Sequence, residues 1–333
     1  MQRAAACALL LASLLVGGCA FPTLDGSQRT GWAFAATGLD ALQDRGLDGR
    51  GVTVAIVDTG IDPSHPAFEG LHIVAWTDLA DGRPDPYDAD GHGSHVAGIL
   101  AGQGPLRGGA PAVGLVVVQV FSPDGHASDQ AVADGIRFAV GHGAQVIGLS
   151  LGGGTFPILG TASEGAAQSA IDRGVLVVAA AGNDGPGNQD IASPASLKGV
   201  IAVAALDRQG AIASFSSRGS PDTPLLAGLG TPRSAPDQKP EVAAPGVAIT
   251  SAWLGHGHAS ASGTSMAVPF VVAALALLLQ AHPGAAPHDA AGVERVKGWL
   301  METAGAVQGA RQPHDAAAGY GSLQAMALVD KAR

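Results

Sequence analysis

The sequence predicts an α/β fold with a mainly parallel central sheet and helices on both faces. Three observations support this prediction. Segments of strand length alternate with segments of helical period, with short turns between them, which is typical of parallel sheets covered by helices. Residues 52–57 are apolar on both faces, as expected of a buried parallel strand. Finally, 47% of the 333 residues are hydrophobic and only 14% are charged, which supplies a large core.

Each predicted element follows from its own local pattern. Helices are assigned where apolar residues recur every three to four positions, and strands where short apolar runs are bounded by turn-forming residues. The predicted helices lie at residues 38–44, 90–101, 128–140, 163–172, 264–280 and 289–303. The predicted strands lie at residues 52–57, 72–76, 115–120, 145–149, 175–180 and 200–204, with further strands or extended segments at 211–216 and 247–253. No shift in composition marks a second domain, and the proline-rich residues 221–240 are interpreted as a surface loop.

The overall charge argues against a nucleic-acid partner. The formal net charge is −10 and the chain has only four lysines, whereas a phosphate-binding surface needs clustered basic side chains. The 49 glycines follow no period, and no internal repeat is evident. We therefore expect a tightly turned globular protein that is monomeric and has no nucleic-acid surface.

The first twenty residues have the features of a bacterial export signal. Arg3 gives a positive start, residues 4–16 form an apolar run too short to span a membrane, and small residues follow. Residues 16–19 resemble the lipobox at which lipoprotein precursors are cut and Cys19 is acylated. The alternative is ordinary cleavage after Ala20.

Cysteine usage is consistent with the lipoprotein interpretation. The two cysteines of the sequence are Cys7 and Cys19. No cysteine follows the signal, so Cys19 has no disulfide partner in the mature domain that would explain its presence. We predict a signal peptide at residues 1–18, a tether at 19–30 and one domain at 31–333. The protein is then expected in the cell envelope, bound to the membrane through a lipid on Cys19, or fully secreted if cleavage follows Ala20.

Three polar residues occur where α/β proteins place their sites. Asp58 ends the strand at residues 52–57, His92 lies near the start of a predicted helix, and Ser265 begins the apolar helix at 264–280. Each has a simpler explanation when taken alone, because aspartate forms turns and serine caps helices. A serine hydroxyl becomes an effective nucleophile only with a base and an orienting acid, so the three together suggest nucleophilic catalysis.

The order Asp, His, Ser is that of subtilisin, and the sequence resembles the subtilisin-like serine proteases over residues 31–330. Four stretches carry the resemblance: residues 54–62 around Asp58, 90–98 around His92, 180–183 ending in Asn183, and 263–269 around Ser265. Any one of them alone would be weak, but their combination in this order is specific. The resemblance implies a subtilisin-like three-layer fold.

The resemblance also implies roles for these residues. His92 would be the base that takes the proton of Ser265, and Asp58 would orient the imidazole and stabilise its charged form. The side-chain amide of Asn183 and the main-chain N–H of Ser265 would stabilise the oxyanion of the tetrahedral intermediate. In isolation, Asn183 could equally begin a turn.

Two further segments resemble the substrate-binding parts of this family. The first segment consists of Ser150, Leu151, Gly152 and Gly153, and the second of Ala180, Ala181 and Gly182. The first would pair with an extended substrate backbone. Both would form walls of the specificity pocket, and their small residues suggest a preference for apolar substrate side chains. No cofactor is expected to be required. Calcium is possible but cannot be assigned, although an ion could bind among Asp81, Asp85, Asp88 and Asp90.

Several positions depart from the family pattern or are explained without a catalytic or metal-binding role. Phe270 and the two valines after it replace a histidine and small residues, so we expect the nucleophile helix to pack differently. His95 resembles a second, non-catalytic histidine, and His256 and His258 are interpreted as a solvated loop without a metal. About ten residues separate the signal from the domain, which leaves no room for the usual pro-domain, so we expect unaided folding or help in trans.

These observations predict an exported serine endopeptidase of broad specificity with an apolar preference, acting on proteins or peptides through an acyl-enzyme. One alternative is a dedicated peptidase that processes a single precursor peptide at the cell surface. A second, from another class, is a catalytically silent surface protein that binds ligands on the same scaffold.

Overall fold

The computed structural model describes residues 8–10, 30–122, 124–153, 161–187, 191–220, 233 and 237–333. The predicted lipidation site Cys19, the tether at 19–30 except Thr30, and most of the predicted loop at 221–240 lie outside these residues. Of the predicted signal peptide, only a three-residue strand is described.

Eleven strands are found within the described residues. They are β1 (Ala8–Leu10), β2 (Thr53–Asp58), β3 (Ile73–Asp78), β4 (Gly114–Gln119), β5 (His126–Ser128), β6 (Val146–Leu149), β7 (Leu176–Ala180), β8 (Ile201–Leu206), β9 (Val242–Pro245), β10 (Ile249–Trp253) and β11 (Gly257–Ala261).

Eight α-helices occur in the same part of the chain. They are α1 (Gly31–Thr37), α2 (Leu39–Asp44), α3 (His92–Ala101), α4 (Asp129–Gly141), α5 (Ala162–Asp172), α6 (Thr264–Ala281), α7 (Ala290–Glu302) and α8 (Ala325–Lys331). Polar side chains start several of them: Ser128 caps α4, Asp289 caps α7, and Thr161 and Glu164 form a capping box on α5.

Seven strands form the central sheet in the order β3-β4-β2-β6-β7-β8-β9. Every neighbouring pair is parallel, so all seven strands end at the same edge. Helices α3 and α6 pack together, with α6 lying across β6 to β9, whereas α4 and α5 form a second pair against β2, β4 and β7. The prediction of a mainly parallel sheet covered by helices is therefore confirmed.

The core is built from alanine, valine and leucine. Strands β2 and β4 are almost completely buried, and within the described residues α6 is the one helix long and apolar enough to cross a membrane. Because 83% of α6 is buried inside the fold, we interpret it as the central core helix. Phe270 of α6 is fully buried and packs against Phe34 of α1, with ring centroids 5.0 Å apart. Helix α6 thus contacts α1 through an aromatic pair in the core.

The structure corrects several predicted elements. Residues 211–216 contain only an isolated bridge between Ile212 and Leu206, followed by a turn, and are not a strand. Strands β1, β5, β9 and β11 and helices α1 and α8 are not among the predicted elements. His258 lies within β11, which pairs antiparallel with β10, so the interpretation of this histidine as part of a loop is wrong. In the other two-stranded sheet, β1 pairs antiparallel with β5.

A buried charge cluster lies beside the sheet near β9. The ammonium groups of Lys239 and Lys297 lie 2.9 and 3.0 Å from the same Oε1 of Glu241, and all three side chains are fully buried. Lys297 also faces Asp237 at 3.9 Å and Glu294 at 4.0 Å. Burial, opposed by Glu241 and reinforced by Lys297, lowers the pKa of Lys239 to about 8. For Lys297, the surrounding carboxylates outweigh burial and raise its pKa.

This cluster predicts that the protein becomes more stable as the pH rises from about 8 to about 10.5. Over that range the unfolded chain binds a proton on Lys239 that the folded protein does not, so unfolding takes up a proton and higher pH opposes it. The gain should be about 3 kcal/mol in the free energy of unfolding. Lys297 titrates above this window.

Urea unfolding at several pH values tests this prediction. Each protein should also carry Ser265→Ala, so that the peptidase activity expected from the sequence cannot digest the samples. Lys239→Met is the matched control, because it keeps the buried volume and removes the titrating group. A free energy that rises with pH equally in both proteins would contradict the assignment to Lys239.

Candidate active site

Asp58 and His92 meet at the carboxyl edge of the sheet. Asp58 is the last residue of β2 and His92 the first of α3, and their side chains are 1% and 4% exposed. The Nδ1 atom of His92 lies 2.7 Å from Oδ1 of Asp58. Because the carboxylate accepts a hydrogen bond at Nδ1, it fixes the neutral tautomer that leaves Nε2 free to accept a proton.

The charge environment of His92 favours its protonated form. Burial by itself would lower the pKa of this imidazole, but the charge and hydrogen bond of Asp58 raise it, helped by the charges of Asp90 and Asp88. The net result is a pKa above the ordinary value for histidine. An imidazolium formed during a reaction would therefore be stabilised.

Ser265 lies on the first turn of α6 and is half-buried. Its hydroxyl donates a hydrogen bond to the carbonyl of Ser150 (2.9 Å), and the hydroxyl of Ser150 donates to the carbonyl of Ser265 (3.0 Å). Ser150 directly follows β6, the neighbour of β2 in the sheet. The structure thus brings Ser265 to the same sheet edge as Asp58, with its hydroxyl held by Ser150.

The side chain of Asn183 is oriented by the residue before Ser265. Its Oδ1 accepts hydrogen bonds from the main-chain N–H (2.9 Å) and the hydroxyl (3.0 Å) of Thr264. With Oδ1 engaged in this way, the amide Nδ2 is left to donate elsewhere. A Cβ built on Gly263 would lie 3.4 Å from that Nδ2, so Asn183 lies beside the turn that leads into α6. This role of Thr264 is not predictable from the sequence, where the only signal is its position in Gly-Thr-Ser.

The two predicted substrate segments follow neighbouring strands, β6 and β7. Gly153 already pairs with Ser193, because the N–H and carbonyl of each bond to the other. Main-chain groups of successive residues in an extended chain point to opposite sides. The main-chain groups of Gly152 therefore point away from Ser193, toward the side where the Ser150 carbonyl meets Ser265. Gly153 is thus already paired and belongs to the scaffold, whereas the main-chain groups of Gly152 face the other side.

Of the remaining predicted pocket residues, Ala180 ends β7, and Ala181 and Gly182 connect it to Asn183. Ala180 and Ala181 are buried and Leu151 is 6% exposed. Gly182 donates its N–H to the hydroxyl of Thr264 and accepts from the N–H of Ser217. These contacts fix the backbone on which Asn183 is mounted.

Comparison with known proteins identifies the family. The chain matches the Subtilase family over residues 49–321. It is 38% identical over 260 residues to Subtilisin Savinase of Lederbergia lenta, a match that covers 77% of this chain and 87% of that protein.

This chain belongs to the subtilase family.

Other subtilases support the same assignment. An alkaline protease of Shouchella clausii is 38% identical over 260 residues, covering 77% of this chain and 61% of that protein. Among solved structures, the prenylagaramide maturation protease PagA has a TM-score of 0.70 and 30% identity, covering 89% of this chain and 98% of that one. The fold is subtilisin-like, and the enzyme is a subtilisin-like serine endopeptidase.

His95, the other histidine of α3, has a structural position in this subtilase. His95 is fully buried, and its Nε2 lies 3.0 and 3.1 Å from the carbonyls of Ile249 and Ala259, on β10 and β11. Burial lowers its pKa to about 4, so it is neutral. His256 and His258 approach the ring of His65, with centroids 6.2 and 5.3 Å away.

The acids proposed as ion ligands have other partners or are solvent-exposed. Asp88 accepts five hydrogen bonds from nearby side-chain and main-chain donors. Asp81 pairs with Arg83 at 3.6 Å. In the part of the chain that the structure describes, no group of three or more His, Cys, Asp or Glu side chains is placed to hold a metal ion.

Proposed function

We propose that this subtilase is exported and cleaves peptide bonds with Asp58, His92 and Ser265 as its triad and Asn183 as an oxyanion donor. The observation that carries the proposal is the buried 2.7 Å hydrogen bond between Asp58 and His92 at the sheet edge that also holds Ser265. A buried carboxylate–imidazole pair beside a serine on a helix N-terminus is the arrangement needed for acyl transfer.

The reaction begins with a rotation of the nucleophile. The hydroxyl of Ser265 leaves the Ser150 carbonyl and turns toward Nε2 of His92, which removes its proton as the oxygen attacks the substrate carbonyl. Asp58 keeps the imidazole in place and stabilises its positive charge. His92 then gives the proton to the leaving amine, and water hydrolyses the acyl-enzyme by the reverse sequence.

Charge on the substrate oxygen is stabilised by two donors. Nδ2 of Asn183 is directed outward by the two hydrogen bonds from Thr264 to Oδ1, and the N–H of Ser265 lies at the positive end of α6. Both donors are held before the substrate binds, so they need no reorganisation when the charge develops.

Proteins or peptides with an apolar side chain at the cut site are the proposed substrates. Ser150 and Gly152 provide main-chain groups that can pair with an extended peptide, a mode that fixes register without reading sequence. The pocket walls consist of alanine, glycine and leucine, which leave room for apolar side chains. We expect broad specificity on this basis.

One structural neighbour favours a narrower function. PagA is described as a maturation protease for prenylagaramide, and this chain covers 98% of it. A dedicated processing peptidase is therefore the second candidate. Digestion of a diverse peptide library separates the two, with Ser265→Ala protein as the blank. Cleavage of many members after apolar residues supports broad specificity, whereas cleavage of almost none, alongside efficient cutting of one precursor, supports the dedicated function.

We further propose that Cys19 carries a lipid anchor. The support is the leader itself, with its positive start, apolar run and small residues before Cys19. Mass spectrometry of the mature amino terminus should find a lipid-modified Cys19, and Cys19→Ser should release the enzyme from membranes. A mature protein that begins at Phe21 without modification would contradict the anchor and indicate free secretion.

A further inference from the structure

Asp88 is not part of the proposed triad, yet its carboxylate connects the two segments that carry Asp58 and His92. Its Oδ1 accepts a hydrogen bond from the hydroxyl of Thr59 at 2.8 Å. Its Oδ2 accepts from the main-chain N–H and the hydroxyl of Ser94, at 2.7 and 2.6 Å. Thr59 is the residue after Asp58, and Ser94 lies two residues after His92.

Thr59 links these segments a second time. While its hydroxyl donates to Asp88, the same oxygen accepts the N–H of Gly93 at 2.8 Å. Its own N–H donates to Oδ1 of Asp58 at 2.7 Å, the oxygen that also meets His92. Thr59 is 2% exposed, so these bonds are shielded from water. The loop behind the acid is therefore bonded directly to the helix that carries the base.

Asp88 also replaces the missing cap of α3. The N-cap residue is Gly91, which has no side chain to bind the free N–H groups of the first turn. The N–H of Ser94 bonds to Asp88, as does the N–H of Gly91 itself at 2.8 Å. A carboxylate at this end of the helix is also favoured by the helix dipole. The start of α3, and with it His92, is thus fixed by Asp88.

The backbones at this junction are in close contact. A Cβ added to Gly93 would lie 2.1 Å from the carbonyl oxygen of Gly60. Gly60 has φ +114°, and a Cβ added to it would lie 2.0 Å from the carbonyl oxygen of Tyr87. Both positions require glycine for this reason. Since the segments touch without intervening side chains, their relative offset depends on the hydrogen bonds made by Asp88 and Thr59.

We propose that Asp88 is a positioning residue that holds Asp58 and His92 in register through Thr59 and Ser94. This inference rests on the triad proposed above. Both oxygens of Asp88 accept hydrogen bonds. In Asp88→Asn, an NH₂ group replaces one of these oxygens and faces either Thr59 or Ser94. The hydrogen bonds accepted on that side are then lost. Misplacement of a catalytic pair by about 1 Å can cost on the order of 10²-fold in rate.

Steady-state kinetics on a peptide substrate test the proposal. Asp88→Asn and Thr59→Val, which keeps the shape of Thr59 without its hydroxyl, should each lower kcat by about 10- to 100-fold with little change in KM. Thr59→Ser restores the hydroxyl and should recover most of the rate. Asp85→Asn is the matched control, because this exposed acid of the same loop makes no hydrogen bond to any residue that the structure describes.

A double variant shows whether the two substitutions lower kcat through the same hydrogen-bonded unit or through separate effects. Because Asp88 and Thr59 act through one hydrogen-bonded unit, Asp88→Asn combined with Thr59→Val should lose little more rate than either change alone. Losses that multiply, or wild-type kcat in Thr59→Val, would overturn the proposal. If Asp88→Asn does not fold, as judged by thermal unfolding, the comparison of Thr59→Val with Thr59→Ser decides. A wild-type enzyme without activity would instead refute the proposed function itself.

Discussion

Ser265→Ala is expected to lower kcat by about 10⁶-fold, because no other group can take the place of the nucleophile. The change also removes the hydrogen bond from this hydroxyl to the Ser150 carbonyl, a loss of about 1 kcal/mol that the fold should tolerate. Hydrolysis of a chromogenic peptide should reveal the loss, while thermal unfolding shows the protein intact.

The control for this change is Ser64→Ala, which removes an exposed hydroxyl that bonds only within its own turn, to Asp62. Its activity should equal that of the wild type. Retention of substantial activity by Ser265→Ala would exclude Ser265 as the nucleophile. Absence of hydrolysis in the wild type on any peptide would favour the catalytically silent binding protein.

Asn183→Ala is expected to lower kcat by about 10²- to 10³-fold and to leave KM nearly unchanged. The amide Nδ2 has its partner only when negative charge develops on the substrate oxygen, so its loss affects the transition state and not the bound substrate. The measurement is kcat and KM for one peptide substrate. Asn183→Asp is a useful companion, because it keeps an oxygen that accepts from Thr264 but replaces the donor with a negatively charged oxygen. It should therefore lose at least as much kcat as Asn183→Ala.

Both variants at this position should therefore lose kcat. If Asn183→Asp retained full activity, or if the main effect of either change were a higher KM, Asn183 would be a binding or structural residue. Thermal unfolding of both proteins shows whether the loop after β7 remains folded.

Much of the fold and of the site could be predicted because local signals agreed with global ones. Asp58 follows a strand that is apolar on both faces, and Ser265 begins a helix of alanine, valine and leucine. The carboxyl edge of a parallel sheet brings such strand ends and helix starts together. Strand β9 (Val242–Pro245) gave no comparable signal, because it has four residues and prolines on both sides of its apolar stretch. Strand β11 (Gly257–Ala261) consists of glycine, alanine, serine and histidine, which are not typical of strands.

The finer geometry of the site was not accessible from the sequence. The orientation of the Ser265 hydroxyl depends on competition between acceptors, and the carbonyl of Ser150 is brought close only by the folded sheet. In the sequence, the acids that cluster around Asp88 suggest an ion ligand. Its actual partners, Thr59 and Ser94, are supplied by different segments, so only the tertiary fold reveals that it connects them.

The central claim is that Ser265 is a nucleophile activated by His92 and Asp58, and covalent labelling with a fluorophosphonate probe tests it most directly. The wild type, Ser265→Ala and His92→Ala should be treated side by side and mapped by peptide mass spectrometry. We expect a single adduct on Ser265 in the wild type, none in Ser265→Ala, and strongly slowed labelling in His92→Ala. Labelling of a different residue, or no labelling of Ser265 under conditions in which another subtilase reacts, would contradict the account.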